Sequence, residues 1–297
     1  MKEKAINYVE RQSGKICQES VFGNASLRFM YQTLLGRTLW GLLFNSANLS
    51  NLLGSYYDST KSKKAIAKLA ETPGCNPEDA EFPIDEYPTF NAFFSRRLKE
   101  NARPLDEDAM KISSPADGRL FVYENLDGTS PVPVKGAQRT LNDLCCTEIP
   151  FEKAAVAVIR LAPIDYHRFH FPCRCSQNEK PQVIKGKYHS VNPVALVKRP
   201  DVYVENTRQI TALSSKDCGN FFYIEVGAFG VGSIIQSSSC GEHAKGEEKG
   251  YFKFGGSTVI LIFDNSKIKW NADLLKNTSD GLETLIRQGE TIADIVK

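Results

Sequence analysis

FKFGGSTVILIF, residues 252–263, carries the strongest structural signal in this chain of 297 residues. Gly255 and Gly256 precede Ser257, and an unbroken run of β-branched and apolar residues follows. A short apolar run of this kind bounded by glycine predicts a buried β-strand. Glycine reaches backbone angles that other residues cannot, so a turn here can bring the Ser257 hydroxyl close to the preceding carbonyl. The stretch therefore predicts a strand that begins at a tight turn.

The sequence from about residue 110 onward has further segments typical of strands. VAVIRLA (155–161) and YIEVGAFGVGSII (223–235) are β-branched or alternating runs bounded by glycine and proline. A helix is expected at Ala272–Lys276, and the closing GLETLIRQGETIADI (281–295) is typical of strand–turn–strand. Short strands with glycine turns indicate an α+β fold whose catalytic core, residues 106–297, is β-rich and resembles a barrel or a sandwich.

The first third of the chain, residues 1–105, has a helical pattern instead. Leucines and other apolar residues of segment 27–57 recur at three- and four-residue steps, with basic and aromatic residues among them. This pattern suits a helix at a bilayer interface, and it equally suits a helix that packs on the domain core. A second helix is predicted after Pro88, with Thr89 as its N-cap and the Asn101–Pro104 stretch as its end. We expect residues 1–105 to associate with a membrane.

The charge balance and the cysteines narrow the class of protein. The chain has 37 basic and 35 acidic side chains, a net charge of +2, which argues against a nucleic-acid-binding protein. No apolar run approaches the roughly 20 residues that span a bilayer, and the polar N-terminus lacks the apolar core of a secretory signal. The eight cysteines have no regular spacing. We therefore expect reduced thiols in a cytosolic compartment.

LAPIDYHRFHFP (161–172) holds two of the four histidines, His167 and His170. Either imidazole can act as a base near neutral pH, and a turn would let the two converge. SSPADGRL (113–120) places Asp117 in a turn, where it either caps its own backbone or orients a histidine. Cysteines follow the histidines closely, but no second, well-separated ligand cluster exists, so no metal site is predicted.

Ser257 itself has two interpretations. A Gly-Gly-Ser sequence is most often a turn that leads into a strand. Alternatively, the Ser257 hydroxyl attacks the Gly256 carbonyl, the amide becomes an ester, and β-elimination frees the upstream chain. The dehydroalanine that remains would hydrolyse to a pyruvoyl group and ammonia. The residues around Ser257 alone leave both interpretations open.

Taken together and in order, the motifs resemble those of the phosphatidylserine decarboxylases, a pyruvoyl-dependent family. Departure from the family pattern is clearest in VYVENTRQI (202–210), where Thr207 stands in place of a glutamate. The segments that carry the resemblance are TFNAFFSRRLKENARP (89–104), SPADGRL (114–120), VKGAQRTLNDL (134–144), APIDYHRFHFP (162–172), YHSVNPVAL (188–196), VGAFGVGSI (226–234) and FGGST (254–258).

The resemblance implies self-cleavage between Gly256 and Ser257, which gives a β chain of residues 1–256 and an α chain of residues 257–297. Ser257 would become the pyruvoyl cofactor, which decarboxylates phosphatidylserine to phosphatidylethanolamine through a Schiff base. Asp117 and His170 match the family's charge-relay pair, so His170 would be the base for Ser257. His167 matches the histidine implicated in decarboxylation.

The resemblance also implies the partners and the location. The expected partners are phosphatidylserine, a membrane surface and the two chains as a heterodimer; whether two heterodimers associate is left open. The expected location is peripheral, on the cytoplasmic side of the cell membrane. Two other functions remain possible for this sequence: a pyruvoyl decarboxylase of a soluble amino acid, and a non-enzymatic lipid-binding barrel.

Overall fold

The computed structural model describes residues 6–19, 52, 54–228, 234–255 and 257–296. Gly256, one side of the expected cleavage site, lies outside the described residues. So does almost all of the leucine-rich segment 27–57, of which only residue 52 and residues 54–57 are described. Ser257 and the two histidines expected in the site are described.

Strands are the main regular secondary structure of the described residues. They are β1 (Asn7–Glu10), β2 (Ile16–Gln18), β3 (Lys111–Ser113), β4 (Gly118–Leu126), β5 (Ala154–Leu161), β6 (Arg168–His170), β7 (Cys175–Gln177), β8 (Gln182–Ile184), β9 (Arg208–Ser215), β10 (Gly219–Gly227), β11 (Ile234–Gln236), β12 (Gly241–His243), β13 (Glu248–Phe252), β14 (Ser257–Asp264), β15 (Ile268–Trp270), β16 (Glu283–Ile286) and β17 (Thr291–Ile295). The strands expected at 155–161, 257–263 and in 281–295 are confirmed.

The α-helices of the described residues are short. Besides helical residues at 52 and 54–57, they are α1 (Lys64–Ala70), α2 (Phe90–Phe94), α3 (Leu141–Cys145), α4 (Pro193–Leu196), α5 (Val202–Glu205) and α6 (Ala272–Ser279), and 3-10 turns lie at Thr60–Lys63, Pro77–Asp79 and Ile84–Glu86. The expected cap of α2 is confirmed, because the Thr89 hydroxyl accepts a hydrogen bond from the Ala92 amide. Within the described residues, no helix combines the length and the apolar character that crossing a membrane requires.

One large sheet organises the fold. In the described residues it has eleven strands, in the order β12-β7-β9-β10-β14-β5-β4-β16-β1-β2, with β8 beside β9. Strand β14 lies near the middle and pairs antiparallel with β10 and β5 along its whole length. Two three-stranded sheets, β11-β13-β6 and β15-β17-β3, complete the β structure. The site is therefore built around a central strand.

The large sheet is open, which corrects the expectation of a barrel. Its end strands β12 and β2 do not pair with each other in the described part of the chain, although the α+β, strand-rich class is confirmed. Residues 7–18, expected to be helical, instead form the hairpin β1–β2. The reason is tertiary: β1 pairs in parallel with β16, a strand about 275 residues away that local periodicity does not reveal.

The two faces of β14 bury different cores, as alternation along a strand requires. Val259, Leu261 and Phe263 pack into one cluster, whereas Ile260 and Ile262 pack into a second cluster on the opposite face. Every residue from Ser257 to Phe263 is buried. A strand covered on both faces reads as a continuous apolar run, which is why the sequence predicted it.

A third cluster lies at the start of β14 and is centred on α2. Phe90, Phe93 and Phe94 are at most 1% exposed and pack with α1 and with Ile164. This cluster places α2 beside the loop that follows β5. The helix predicted to extend to Asn101–Pro104 is wrong in length, because it ends at Phe94 and Leu98 instead forms a β-bridge with Ala80.

Replacement of Leu261 by Ala should lower the free energy of unfolding by about 2–5 kcal/mol, because it opens a cavity in the middle of the largest core. The measurement is urea unfolding in a Ser257→Ala background, which keeps the chain in one piece. Val183→Ala is the matched control, since Val183 is 57% exposed and should change stability by less than about 0.5 kcal/mol. Equal losses for both variants would contradict the central position of β14.

Candidate active site

Ser257 is the first residue of β14 and is 1% exposed. Its backbone lies opposite Leu161 on one side and opposite Gly227 on the other. Gly255, two residues upstream, has a φ of +152°, which glycine adopts without the strain that a side chain would add. The hydroxyl thus sits at the point where a glycine-dependent turn enters a strand held on both sides.

His167 is the partner of Ser257. Its Nδ1 lies 3.2 Å from the Ser257 Oγ, and its Nε2 lies 3.0 Å from the carbonyl oxygen of Ala162. Because a carbonyl only accepts, Nε2 carries the hydrogen, and the Nδ1 lone pair faces the serine hydroxyl. This is the arrangement of a general base with a nucleophile.

The turn that carries the Ala162 carbonyl is fixed by Asp165. The Asp165 carboxylate accepts a 2.6 Å hydrogen bond from the Ala162 amide and forms a buried ion pair with Arg119. Arg119 lies on β4, which pairs with β5. The two strands are so close at Gly118 that a Cβ there would lie 2.7 Å from the Arg160 carbonyl oxygen. Asp165 therefore orients His167 through the backbone.

The imidazole of His167 is kept neutral. Its ring stacks on Phe94 with centroids 3.8 Å apart, and the residue is fully buried. Burial, assisted by the positive charge of Arg96, lowers the pKa of His167 to about 3. The ring is thus unprotonated at neutral pH and free to accept a proton.

His170 lies close by in sequence but in a different environment. Its ring stacks on Tyr166 with centroids 5.7 Å apart, and burial lowers its pKa to about 4. The Nδ1 atom is buried and has no hydrogen-bond partner among the described residues. The side chain therefore offers an unused polar atom near the site.

Asp117 is engaged by groups other than a histidine. Arg103 donates to both of its carboxylate oxygens, at 2.6 to 3.2 Å, and the Gln288 amide donates to Oδ1 at 2.8 Å. Arg103 also binds Asp79 at 3.0 Å. Asp117 thus connects the chain before β3 to the turn between β16 and β17.

The structure pairs Ser257 with His167, the histidine that the sequence analysis assigned to decarboxylation rather than to cleavage. Ser257 is joined to His167, whereas the expected Ser257–His170–Asp117 relay has no hydrogen bond between its members within the described residues. Sequence reasoning did not assign roles to Asp165 and Phe94. Their positions two residues before the histidine and within the phenylalanine-rich helix were visible, but their contacts depend on strand register and helix packing.

Residues 206–208, where the family pattern is broken, support the strand beside Ser257. The Asn206 amide donates a 2.8 Å hydrogen bond to the carbonyl of Gly227, the residue that lies opposite Ser257. Thr207 points elsewhere, since its hydroxyl accepts a 3.0 Å hydrogen bond from the Gly186 amide in an exposed turn. The departure at Thr207 therefore leaves the contacts of Ser257 intact.

A polar groove of about 330 Å³ lies beside Tyr166, whose ring stacks on His170. Tyr166, Arg103 and Glu248 line it, together with Arg97 and Lys99. Arg103 and Glu248 are paired with other charged side chains, but Arg97 and Lys99 have no carboxylate partner in the described ranges. The groove thus has two unbalanced positive charges.

Among the described residues no group of three or more histidine, cysteine, aspartate or glutamate side chains could hold a metal ion.

Comparison with known proteins identifies relatives along the whole chain. The family model for phosphatidylserine decarboxylase matches residues 90–294. The phosphatidylserine decarboxylase proenzyme of Clostridium kluyveri is 41% identical over 293 residues, which cover 97% of this chain and 98% of the relative. The proenzymes of Ruminiclostridium cellulolyticum and Chlamydia muridarum are 38% and 35% identical, each over 98% of both chains.

Acid should destabilise the uncut chain partly through His170. Its pKa is about 4 when folded and about 6.5 when unfolded, so the unfolded chain binds the additional proton between these values and stability falls as pH falls through them. We expect His170→Gln, in the Ser257→Ala background, to reduce this slope by up to about 1.4 kcal/mol per pH unit. Urea unfolding at pH 7.5 to 5 measures it; identical slopes would contradict the burial of His170.

Proposed function

The chain belongs to the phosphatidylserine decarboxylase family, and we propose that it is a proenzyme that cuts itself between Gly256 and Ser257 and then decarboxylates phosphatidylserine. The observation that supports self-cleavage most directly is the 3.2 Å contact between the Ser257 hydroxyl and the unprotonated Nδ1 of His167. Both side chains are buried, so the pair is shielded from water.

In the proposed cleavage, His167 Nδ1 takes the hydroxyl proton while Ser257 Oγ attacks the carbonyl carbon of Gly256. The peptide bond breaks as the ester forms, and the amine of Ser257 takes up a proton. Loss of the Ser257 α-proton then breaks the Cβ–Oγ bond, which leaves a carboxylate on residue 256 and a dehydroalanine at 257. Hydrolysis of the dehydroalanine releases ammonia and gives the pyruvoyl group.

The residues present fit a pyruvoyl group at this position, because a serine, a neutral imidazole and a glycine turn converge where it would form. When present, the group supplies the carbonyl that absorbs the electron pair left by carbon dioxide. His167 remains beside the former serine and can return a proton to the substrate carbon. Asp165 and the Ala162 carbonyl keep its Nδ1 directed at that point.

We propose that the substrate is reached at a membrane surface. A two-chain lipid leaves the bilayer reluctantly, so the leucine-rich segment 27–57, with its basic and aromatic residues, is assigned to the interface on the cytoplasmic side. Arg97 and Lys99 of the groove, which have no carboxylate partner among the described residues, suit a substrate that carries a phosphate. The α chain of residues 257–297 has 297 − 256 = 41 residues and would remain bound to the β chain as a heterodimer.

Cleavage should require Ser257 and depend more on His167 than on His170. Ser257→Ala should remain a single chain of about 33.1 kDa, whereas the natural sequence should give a 41-residue fragment whose mass shows an N-terminal pyruvoyl group. His167→Ala should slow cleavage by about 10²-fold or more, the contribution typical of a general base. Intact mass against time after synthesis measures both effects.

His170→Ala provides the matched comparison for His167→Ala. Slower cleavage in the His170 variant than in the His167 variant would restore the relay expected from the family and contradict the assignment of His167. A fragment that begins with serine would indicate ordinary proteolysis, and a chain that stays whole without substitution would favour a non-enzymatic lipid-binding protein.

Activity on bilayer lipid should depend on the leucine-rich segment. Substitution of both Leu42 and Leu43 by Asp should lower the decarboxylation of phosphatidylserine in liposomes at least tenfold, while a water-soluble short-chain phosphatidylserine remains a substrate. Carbon dioxide release measures both. Equal loss on the two substrates would contradict an interfacial role, and rapid release from free serine would favour a decarboxylase of a soluble amino acid.

A further inference from the structure

We propose that Asn91 is a positioning residue for self-cleavage: its side chain fixes the backbone at Phe254, two residues before Gly256 of the scissile bond. The proposal rests on the proposed cleavage between residues 256 and 257. It adds a residue that the chemistry at Ser257 and His167 does not itself require. Asn91 lies on helix α2 and is 3% exposed.

Both ends of the Asn91 amide are engaged. Its Oδ1 accepts a 2.8 Å hydrogen bond from the backbone amide of Phe254, and its Nδ2 donates a 3.0 Å hydrogen bond to the Asp58 carboxylate. A buried side-chain amide without hydrogen-bond partners would destabilise the fold. The two bonds together satisfy both the oxygen and the nitrogen of the Asn91 side chain. The carboxylate also fixes which way the amide points, because it can only accept.

The upstream segment is anchored by two more contacts. Asp58 forms a 2.8 Å ion pair with Lys253, so the residues on either side of the 253–254 peptide are held from the same place. The Phe254 ring packs against Tyr57, Phe90 and Phe94, with centroids 4.5, 4.9 and 5.2 Å away. Asn91 supplies the contact to the backbone itself.

The position of this contact restricts the scissile turn from both sides. Ser257 is held by the ladders of β14, and Phe254 is held by Asn91, so only Gly255 and Gly256 lie between two fixed residues. Three residues span at most about 10–11 Å of chain. Without the upstream contact, two glycines would let the carbonyl drift, and a misplacement of about 1 Å can slow a reaction about 10²-fold.

The same helix also positions the base. Phe94, one turn after Asn91, stacks on the His167 ring at 3.8 Å. Helix α2 therefore fixes the scissile segment through Asn91 and the imidazole through Phe94. The helix lies in a buried aromatic cluster, so the Phe254 backbone and the His167 ring are both held by one element.

The test compares Asn91→Ala with Asn142→Ala. Asn142 is the matched control because it occupies the same second position of a five-residue helix, α3, and its Oδ1 accepts a 3.0 Å hydrogen bond from the Ile149 amide. We expect Asn91→Ala to cleave at least tenfold more slowly after cell-free synthesis, and Asn142→Ala to cleave at the natural rate. Decarboxylation per pyruvoyl group, measured after cleavage is complete, should be unchanged in both.

Asn91→Asp separates positioning from a general loss of stability. The new carboxylate can accept from Phe254 but cannot donate to Asp58 until one of the two acids is protonated, and adjacent carboxylates raise each other's pKa. The cleavage rate of Asn91→Asp relative to the natural sequence should therefore rise as pH falls from 8 to about 5.5.

Three results would overturn the positioning role. They are natural cleavage rates in Asn91→Ala, equal slowing in Asn142→Ala, and a relative rate in Asn91→Asp that does not change with pH. Failure of the proposed function is distinguishable from all three, because in that case the unsubstituted chain itself would give no 41-residue pyruvoyl fragment.

Discussion

The pairing of β14 with a strand on each side is the constraint on which the candidate site depends. It fixes Ser257 in a fully paired position at the edge of two packed cores, so the hydroxyl has one orientation and no access to bulk water. The neighbouring strand β5 ends opposite Ser257, and the turn that follows it returns His167, the proposed base, to the hydroxyl. The proposed reactivity of Ser257 therefore depends first on the register of β14 with its neighbouring strands, because that register sets where the hydroxyl and His167 meet.

Burial has opposite effects on the groups around this strand. It keeps His167 neutral, which suits a proton acceptor, but it would destabilise the carboxylates and guanidinium groups nearby if they were unpaired. The structure places Asp165 against Arg119, and Asp117 against Arg103. Asp117 thus connects two segments of the chain through Arg103 and the Gln288 amide, whereas Asp165 holds the turn whose Ala162 carbonyl contacts His167, the proposed base. Asp117 and Asp165, which occur in the same sequence motifs as the candidate site or next to them, therefore stabilise the backbone around the histidines.

Sequence patterns predicted those elements of the fold that interactions between neighbouring residues determine. The buried strands, the Thr89 cap and the last helix follow from periodicity and capping chemistry, and the ordered motifs identify Ser257 and both histidines as candidates. The hairpin of residues 7–18, the open edge of the sheet and the choice of His167 over His170 depend on contacts between residues far apart in the chain. The same limit applies to Asn91, whose partners are 33 and 163 residues away. No periodicity in 89–104 distinguishes it from its neighbours.

The last 41 residues are interleaved with the rest of the molecule rather than appended to it. Strand β14 separates β10 from β5, β16 separates β4 from β1, and β17 separates β15 from β3. A cut before residue 257 would leave every one of these ladders in place, so it would change the folded state little. Its effect would fall on the unfolded state: one chain becomes two, and refolding changes from a unimolecular event to an encounter that depends on concentration. Persistence of the two-chain enzyme at cellular dilution would therefore depend on its rate of unfolding as well as on its equilibrium stability.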